Sequence, residues 1–298
     1  MQKCLIGGNL NLRLPPCSGN RSKISVINRS RSLFFGKKLA GALLVGVLVL
    51  STLGCATFGY PPLPDYQLHS EARIGFYIDE IGGTPIHTHV GTTVFNNFSA
   101  SYEDHSWELR EHAAELLEAE LAHRGFVGID LRAEGLDGER LSNLTTASAD
   151  GWQFSPGYES LVEQLRTDYS LQAVIVLRRI GRHPVTYVCG SGGCQTTFAD
   201  GMGVQSRAFL GLLSFSAVPA IAMSVHVLDP PVDLTRYKPL SDLLTVNRNT
   251  VSLSGRVERP EEIRELDGAF WATVEEALRE RIQELVETAV SMLAETGS

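Results

Sequence analysis

Two histidines separated by one residue are the first candidates for chemistry in this sequence. His87 and His89 lie in the segment PIHTHVG, and on a β-strand they would point to the same side. Asp104 and His105 follow soon after them. Imidazole and carboxylate groups bind zinc, but a zinc site needs further ligands that folding must bring close. We therefore interpret these residues as polar groups on a solvated strand face or turn, and we predict no metal and no cofactor.

The second group is a cysteine pair, Cys189 and Cys194, in YVCGSGGCQTTF. The residues between them lack the G-x-S-x-G spacing of a nucleophile elbow and the lysine of a phosphate-binding loop. A thioredoxin-type redox pair has two residues between its cysteines, whereas this pair has four. We predict a structural disulfide that closes a β-hairpin. No residue stands out as catalytic, so the sequence predicts a protein that is not an enzyme.

The first 54 residues have the composition of a targeting segment rather than of a domain. They contain eight lysines and arginines and no acidic residue. The last two, Lys37 and Lys38, precede residues 39–53, which carry no charge. This apolar run is too short to cross a hydrocarbon core of about 30 Å comfortably. A basic segment followed by a short apolar one predicts a secretory signal.

The residues that end this run, LSTLGC, resemble the lipobox of bacterial lipoproteins. Gly54 and Cys55 fit the pattern, whereas Thr52 stands where leucine is most usual. The resemblance implies cleavage before Cys55 and acylation of that cysteine, which would anchor the mature chain in a membrane. Ala56, in place of aspartate, implies the outer membrane and a domain that faces the periplasm. The leader is unusually long, which suggests a downstream translation start; an uncleaved signal anchor is the alternative.

Because the leader is basic, the net charge of the whole chain understates how acidic the rest of the chain is. Its eight basic residues are not balanced by acids, so removing it changes the formal net charge from −8 to −16. Nucleic acids and anionic lipids are bound by clusters of lysine and arginine. The acidic mature chain therefore argues against nucleic acid or anionic lipid as the main partner.

The sequence divides into a signal peptide (1–54), a lipid anchor with an extended, proline-rich tether (55–70) and one periplasmic α/β domain (71–298). For the domain we predict a layered sandwich. It contains a mixed β-sheet with two helices in β-α-β order, a strand-rich insertion at about 185–256 and a long C-terminal helix.

Hydrophobic periodicity predicts the first β-α-β unit of this domain. A strand at 72–81 precedes a helix that Ser106 would cap and Gly125 would end. The helix leads into a strand at 126–133.

The same pattern then repeats. Ser155 and Pro156 predict the cap and first turn of a second helix, which leads into the strand LQAVIVLRRI. Such an apolar run is typical of a strand covered on both faces. The last helix is predicted at 260–294, with a bend or break near Asp267 and Gly268.

An uncharged run at 208–228 allows more than one interpretation. We predict strand, loop and strand, because Pro219 divides the run and its second half alternates like a strand. A loop that touches a membrane or a partner subunit, and a transmembrane helix, are the alternatives. The candidates for such contact with a membrane or partner are Phe209, Leu210, Leu212, Leu213 and Phe215.

Four successive segments resemble known envelope domains: ARIGFYIDEI, VFNNFSASYEDHSW, ELREHAAELLEAELAHRG and FVGIDLRA. Their order is similar to that in the amino-terminal domain of TolB, the penicillin-binding-protein activator lipoproteins and the curli-secretion lipoprotein. The resemblance covers about residues 72–180, and the strand before Asn96 departs from it. It implies a periplasmic, non-catalytic domain that works by contact.

From these observations we predict an accessory or assembly factor of a cell-envelope complex, with an unidentified envelope protein as its partner. Two other classes remain open. A subunit of an oligomeric outer-membrane secretion pore would form homo-oligomers and use the 208–228 run at the membrane. A metal-binding or hydrolytic envelope protein would use His87 and His89.

Overall fold

The computed structural model describes residues 60–92, 94–190, 193–209, 212–245 and 250–295. The predicted signal peptide and Cys55 lie outside these residues. The helices are α1 (Leu109–His123), α2 (Gly138–Leu141), α3 (Glu159–Thr167), α4 (Leu240–Leu243) and α5 (Gly268–Ala294). The strands are β1 (Arg73–Ile78), β2 (Ile86–Val90), β3 (Phe98–Ser101), β4 (Val127–Asp130), β5 (Thr145–Ser148), β6 (Gly151–Phe154), β7 (Leu171–Arg179), β8 (His183–Gly190), β9 (Gly193–Ala199), β10 (Gly203–Phe209), β11 (Leu212–Val218), β12 (Ile221–Leu228), β13 (Pro231–Asp233) and β14 (Val251–Ser252).

The first sheet has the strand order β13-β12-β7-β1-β4. β1 pairs in parallel with both β4 and β7, and β12 and β13 extend the sheet antiparallel. Parallel neighbours need a long crossover, which α1 supplies between β1 and β4. The predicted β-α-β unit is therefore confirmed, and so is the mixed α/β fold.

Strand β7 is buried on both faces, as its apolar sequence predicts. Ala173, Ile175 and Leu177 belong to the core that includes α1 and α5. Val174 and Val176 belong to a second core with α2 and α3. Because side chains alternate along a strand, β7 separates these two cores.

The second sheet has the order β14-β11-β10-β2-β3. β2 and β10 are parallel, whereas β2 with β3 and β10 with β11 are antiparallel. This sheet includes the strands that the chain forms between β1 and α1. It therefore accounts for the segment that departs from the family resemblance.

The uncharged run at 208–228 contains the end of β10 and all of β11 and β12, and Pro219 and Ala220 separate β11 from β12, as the predicted strand, loop and strand requires. In β11, Phe215 and Ala217 are buried while Ser214 and Ser216 are more exposed. The serines mark the outer face of a strand, which explains why they interrupt the run. No helix in the described part of the chain is long and apolar enough to span a membrane.

Helix α5 joins the two sheets into one core. It contacts α1 on one side, and β10, β11 and β14 through other residues. The helix begins at Gly268 and not at the predicted residue 260. The side chain of Asp267 accepts a hydrogen bond of 2.7 Å from the backbone N–H of Phe270. Asp267 is thus the N-cap, and the residues before it form turns and irregular chain.

The two predicted N-terminal caps, Ser106 and Ser155, do not form, whereas the predicted end of α1 at Gly125 does, with φ 78° at that glycine. The backbone of Trp107 is bridged to Gly83, which keeps the chain extended, and α1 begins after Glu108 rather than at Ser106. Ser155 closes a turn to Tyr158, so α3 begins three residues after Pro156. In both places backbone contacts that the sequence does not show move the start of the helix.

Residues 60–70, predicted to belong to a free tether, lie against the domain. Tyr66 is buried, and its hydroxyl donates a hydrogen bond to the carbonyl oxygen of Met292 in α5. Leu68 packs on the same core. This part of the predicted tether is therefore bound to the domain, because its tyrosine and leucine bury apolar surface that a free spacer would expose.

Candidate functional site

The carboxyl ends of β2 and β10 lie at the same edge of the second sheet. β2 and β10 stay in register up to Val90 and Arg207, so the chain that follows each strand leaves the sheet at the same edge. After β2, the N–H of Gly91 donates a hydrogen bond of 2.8 Å to the side-chain oxygen of Asn97, which closes the loop. A Cβ at Gly91 would lie 2.5 Å from that of Asn96, so the loop requires glycine there.

This edge carries the most exposed large apolar side chains of the described residues. Phe95, in the closed loop, is 93% exposed, and Leu212, at the start of β11, is 74% exposed. Large apolar side chains on a surface are informative when they occur together, because they mark contact sites. We call this part of the molecule the apolar edge, defined by Phe95 and Leu212.

The structure separates the five predicted contact residues. Leu212 is exposed, Leu213 is half-buried, and Phe215 lies in the core, where its ring is 5.2 Å from that of Phe270. Phe215 therefore packs the inner face of the sheet and is not available on the surface. Phe209 ends β10 next to the turn, and Leu210 lies outside the described residues.

A groove of about 480 Å³ adjoins the apolar edge. Its sheet side is formed by residues of β2, β10 and β11 and the loop between them: His89, Thr92, Ala208, Leu212 and Leu213. Its other side is the segment before α5: Arg259, Pro260, Glu261, Glu262 and Ile263. The groove thus places apolar side chains beside charges of both signs.

His87 and His89 lie at the inner end of this region, and both are buried. The prediction of a solvated strand face was wrong, because the rings of Phe98 and Phe215 pack against the two histidines. Both rings approach one hydroxyl group, that of Ser206 on β10. His87 Nε2 is 2.6 Å from Ser206 Oγ, and His89 Nδ1 is 2.8 Å from it.

Burial keeps this cluster neutral. It lowers the pKa of His87 from 6.5 to about 4, with a smaller contribution from the neighbouring His89. Burial also lowers the pKa of His89, and the Arg264 guanidinium adds to the effect. Arg264 itself lies 4.5 Å from the centre of the Phe98 ring, which stacks on His89. Two neutral imidazoles therefore share one hydroxyl group at neutral pH.

The cluster is arranged for packing rather than for attack on a substrate. The Ser206 side chain is completely buried, and Nδ1 of His87 has no hydrogen-bond partner among the described residues. A nucleophilic serine needs access to substrate and a base that a third group orients. In the described part of the chain, no three histidine, cysteine, aspartate or glutamate residues lie close enough to hold a metal ion.

Asp104 and His105 do not join these histidines. Asp104 is exposed, and the His105 ring lies 5.9 Å from that of Trp271 in α5. The two cysteines stand directly opposite each other in the antiparallel pair of β8 and β9, where Cys189 is in register with Cys194. This backbone arrangement is the one that the predicted hairpin disulfide requires, and the disulfide itself stays a prediction.

A second cavity, of about 470 Å³, lies at the carboxyl ends of β1 and β7. Parallel sheets often bind ligands at this position. Here two of the arginines nearby are already paired with carboxylates, Arg132 with Glu80 and Arg110 with Glu111. The apolar edge and its groove are therefore the stronger candidate.

No family model matches this chain, and no curated protein and no solved structure matches it significantly. Sequence patterns did not identify Phe95, Ser206 or Arg264. Phe95 stands in a short apolar-polar loop, and the other two are single polar residues whose roles depend on contacts across the sheet.

Proposed function

We propose that this chain is a bacterial lipoprotein, acylated at Cys55 and anchored in the outer membrane, that acts as a non-catalytic accessory or assembly factor of a cell-envelope complex. The observation that carries the proposal is the apolar edge, where Phe95 and Leu212 are both exposed and Leu212 lines a mixed-charge groove. The basic leader and the LGC sequence before it support the anchor.

The mechanism is binding rather than chemistry. The acyl chains confine the protein to a membrane surface, which raises its effective concentration near other envelope proteins. Phe95 and Leu212 supply apolar contact, and Arg259, Glu261 and Glu262 around the groove select a partner with complementary charges. The buried cluster of His87, His89 and Ser206 holds β2 to β10 and so fixes the edge.

Site-specific crosslinking in living cells tests this proposal. A photo-reactive amino acid is placed at Phe95 or at Leu212, and as a matched control at Val127, which is 43% exposed on the first sheet. We expect both edge positions to crosslink one and the same envelope protein and Val127 not to do so. The yield should fall in a Cys55→Ala background. Equal crosslinking from Val127, or none from the edge, would contradict the proposal.

A secretion-pore subunit is the second candidate, and the edge of β11 favours it. β14 pairs with β11 only at Ser216 and Ala217, and the oxygen of Phe215 accepts one further hydrogen bond. In the described residues, no strand covers the outer edge of β11 at Leu212 and Leu213. An uncovered edge can pair with another chain, and repetition would build a ring. Light scattering of detergent-extracted protein distinguishes the two candidate functions. A secretion-pore subunit should have the mass of a large ring, and a monomer would exclude that function.

A further inference from the structure

The first described residues are held on the domain by a small aromatic cluster. The Tyr60 ring stacks on Trp152 of β6, with the ring centres 6.1 Å apart and the planes 11° from parallel. The Arg236 guanidinium lies over the Tyr60 ring, 5.2 Å from its centre. An Arg236 N–H also donates a hydrogen bond of 3.1 Å to the Tyr60 hydroxyl.

Hydrogen bonds hold the next residue in the same place. The Tyr237 hydroxyl donates to the carbonyl oxygen of Pro61 at 2.6 Å. The same hydroxyl accepts a hydrogen bond from the indole N–H of Trp152. Together with the buried Tyr66, these contacts attach the chain to the domain from Tyr60 onward. We call the surface formed by Tyr60, Trp152, Arg236 and Tyr237 the anchor face.

The anchor face is close in sequence to Cys55, the proposed site of acylation. Cys55 is five residues before Tyr60. A chain of that length spans at most about 17 Å even when it is fully extended. An acylated Cys55 must lie at the membrane surface, so Tyr60 cannot be farther from the membrane than this distance.

The chemistry of the anchor face fits that position. Tyr60 is 53% exposed, Trp152 is half-buried, and Leu63 in the same segment is also exposed. Tyrosine and tryptophan are favoured at membrane interfaces because one end of each ring system is apolar and the other is polar. Arg236 and the exposed Lys238 are paired with Asp233 and Asp242, so the face carries little net charge.

We propose that the anchor face lies against the lipid headgroups of the membrane that holds the protein. This inference rests on the acylation proposed for Cys55. The contact comes from the aromatic rings and not from net positive charge. Zwitterionic lipids therefore suffice, and the contact should not depend on added salt.

Tryptophan fluorescence tests the orientation. The chain has three tryptophans, and Trp107 and Trp271 are buried in the core, so Trp152 is the one that a surface quencher reaches. Acylated protein is reconstituted into phosphatidylcholine vesicles that contain a nitroxide-labelled headgroup lipid. The signal of Trp152 is the difference between the wild type and Trp152→Phe. We expect the nitroxide to remove most of this difference.

Two variants separate the possible failures. A flexible glycine-serine insert of about 20 residues between Ala56 and Thr57 adds roughly 25 Å of reach. It should leave the protein on floating vesicles but reduce the quenching, and full quenching would overturn the argument from reach. Cys55→Ala should abolish flotation. Wild-type protein that floats without quenching overturns the orientation and leaves the lipid anchor standing. Wild-type protein that does not float overturns the proposed anchor, and the orientation with it.

Discussion

The buried histidine cluster leads to a prediction about stability and pH. Replacing His87 by phenylalanine keeps a ring of similar size next to Phe98, whose ring lies 5.1 Å away, and removes a group that can titrate. The replacement also removes the hydrogen bond between His87 and Ser206, while that of His89 remains. At pH 7.5 we therefore expect the variant to be less stable than the wild type by about 1 kcal/mol.

At acid pH the order reverses, and the variant becomes more stable than the wild type. The folded state lowers the pKa of His87 from 6.5 to about 4, so between these values the unfolded chain binds a proton that the folded chain does not. Stability from this residue is complete above about pH 7 and is lost as the pH falls toward 4, by about 3 kcal/mol in total. The variant has no such loss. We expect the two free energies of unfolding to cross at about pH 6, with the variant more stable by about 1 kcal/mol at about pH 5.

Urea unfolding of unacylated Cys55→Ala protein, followed by circular dichroism between pH 4.5 and 7.5, measures this difference. His123→Phe is the matched control, because the His123 side chain is 77% exposed. It shows what the exchange of an exposed histidine for phenylalanine does by itself. If the wild type and His87→Phe give parallel curves over this range, His87 is not the buried neutral group that the structure places against Ser206.

Four further outcomes follow from particular contacts. Gly203→Ala should cost about 3 kcal/mol or more, seen in urea unfolding, because the backbone there has φ 149° and a Cβ would lie 2.1 Å from a carbonyl oxygen of β2. Leu278→Ala, which opens a cavity in the buried face of α5, should cost about 3 kcal/mol in the same assay. Asp267→Ala removes the cap of α5 and should cost about 1 kcal/mol, with Asp267→Asn as the milder control. Without reductant, neither Cys189 nor Cys194 should react with an alkylating reagent in denatured protein, and both should react after reduction; free thiols without reductant would exclude the disulfide.

Sequence patterns predicted those elements that bury much apolar surface. α1 and α5 repeat apolar residues at helical spacing, whereas β1 and β7 are apolar runs buried on both faces. The polar stretch that precedes α3 was not resolved into elements. It forms α2 and the hairpin of β5 and β6, whose residues alternate too briefly to give a signal above that of a loop. Helix starts were displaced for a related reason, since Trp107 is fixed by a backbone bridge to the distant Gly83.

For the candidate site, too, the sequence determined some features and the tertiary structure determined the others. The charge asymmetry of the leader, the LGC sequence at Cys55 and the spacing of Cys189 and Cys194 are properties of neighbouring residues, so the sequence by itself determined the hypotheses of export, anchoring and a closed hairpin. The sharing of Ser206 by two histidines required β10 to lie beside β2, although 119 residues separate Ser206 from His87.

The exposure of residues was likewise decided by packing. Leu212 and Phe215 are three residues apart in one apolar run, yet one is exposed at the edge of the sheet and the other is buried against α5. The same holds for Tyr60, which composition alone assigns to a free tether and which Trp152 and Arg236 hold on the domain. Sequence spacing specifies which face of an element a side chain occupies, and only the tertiary structure specifies what covers that face.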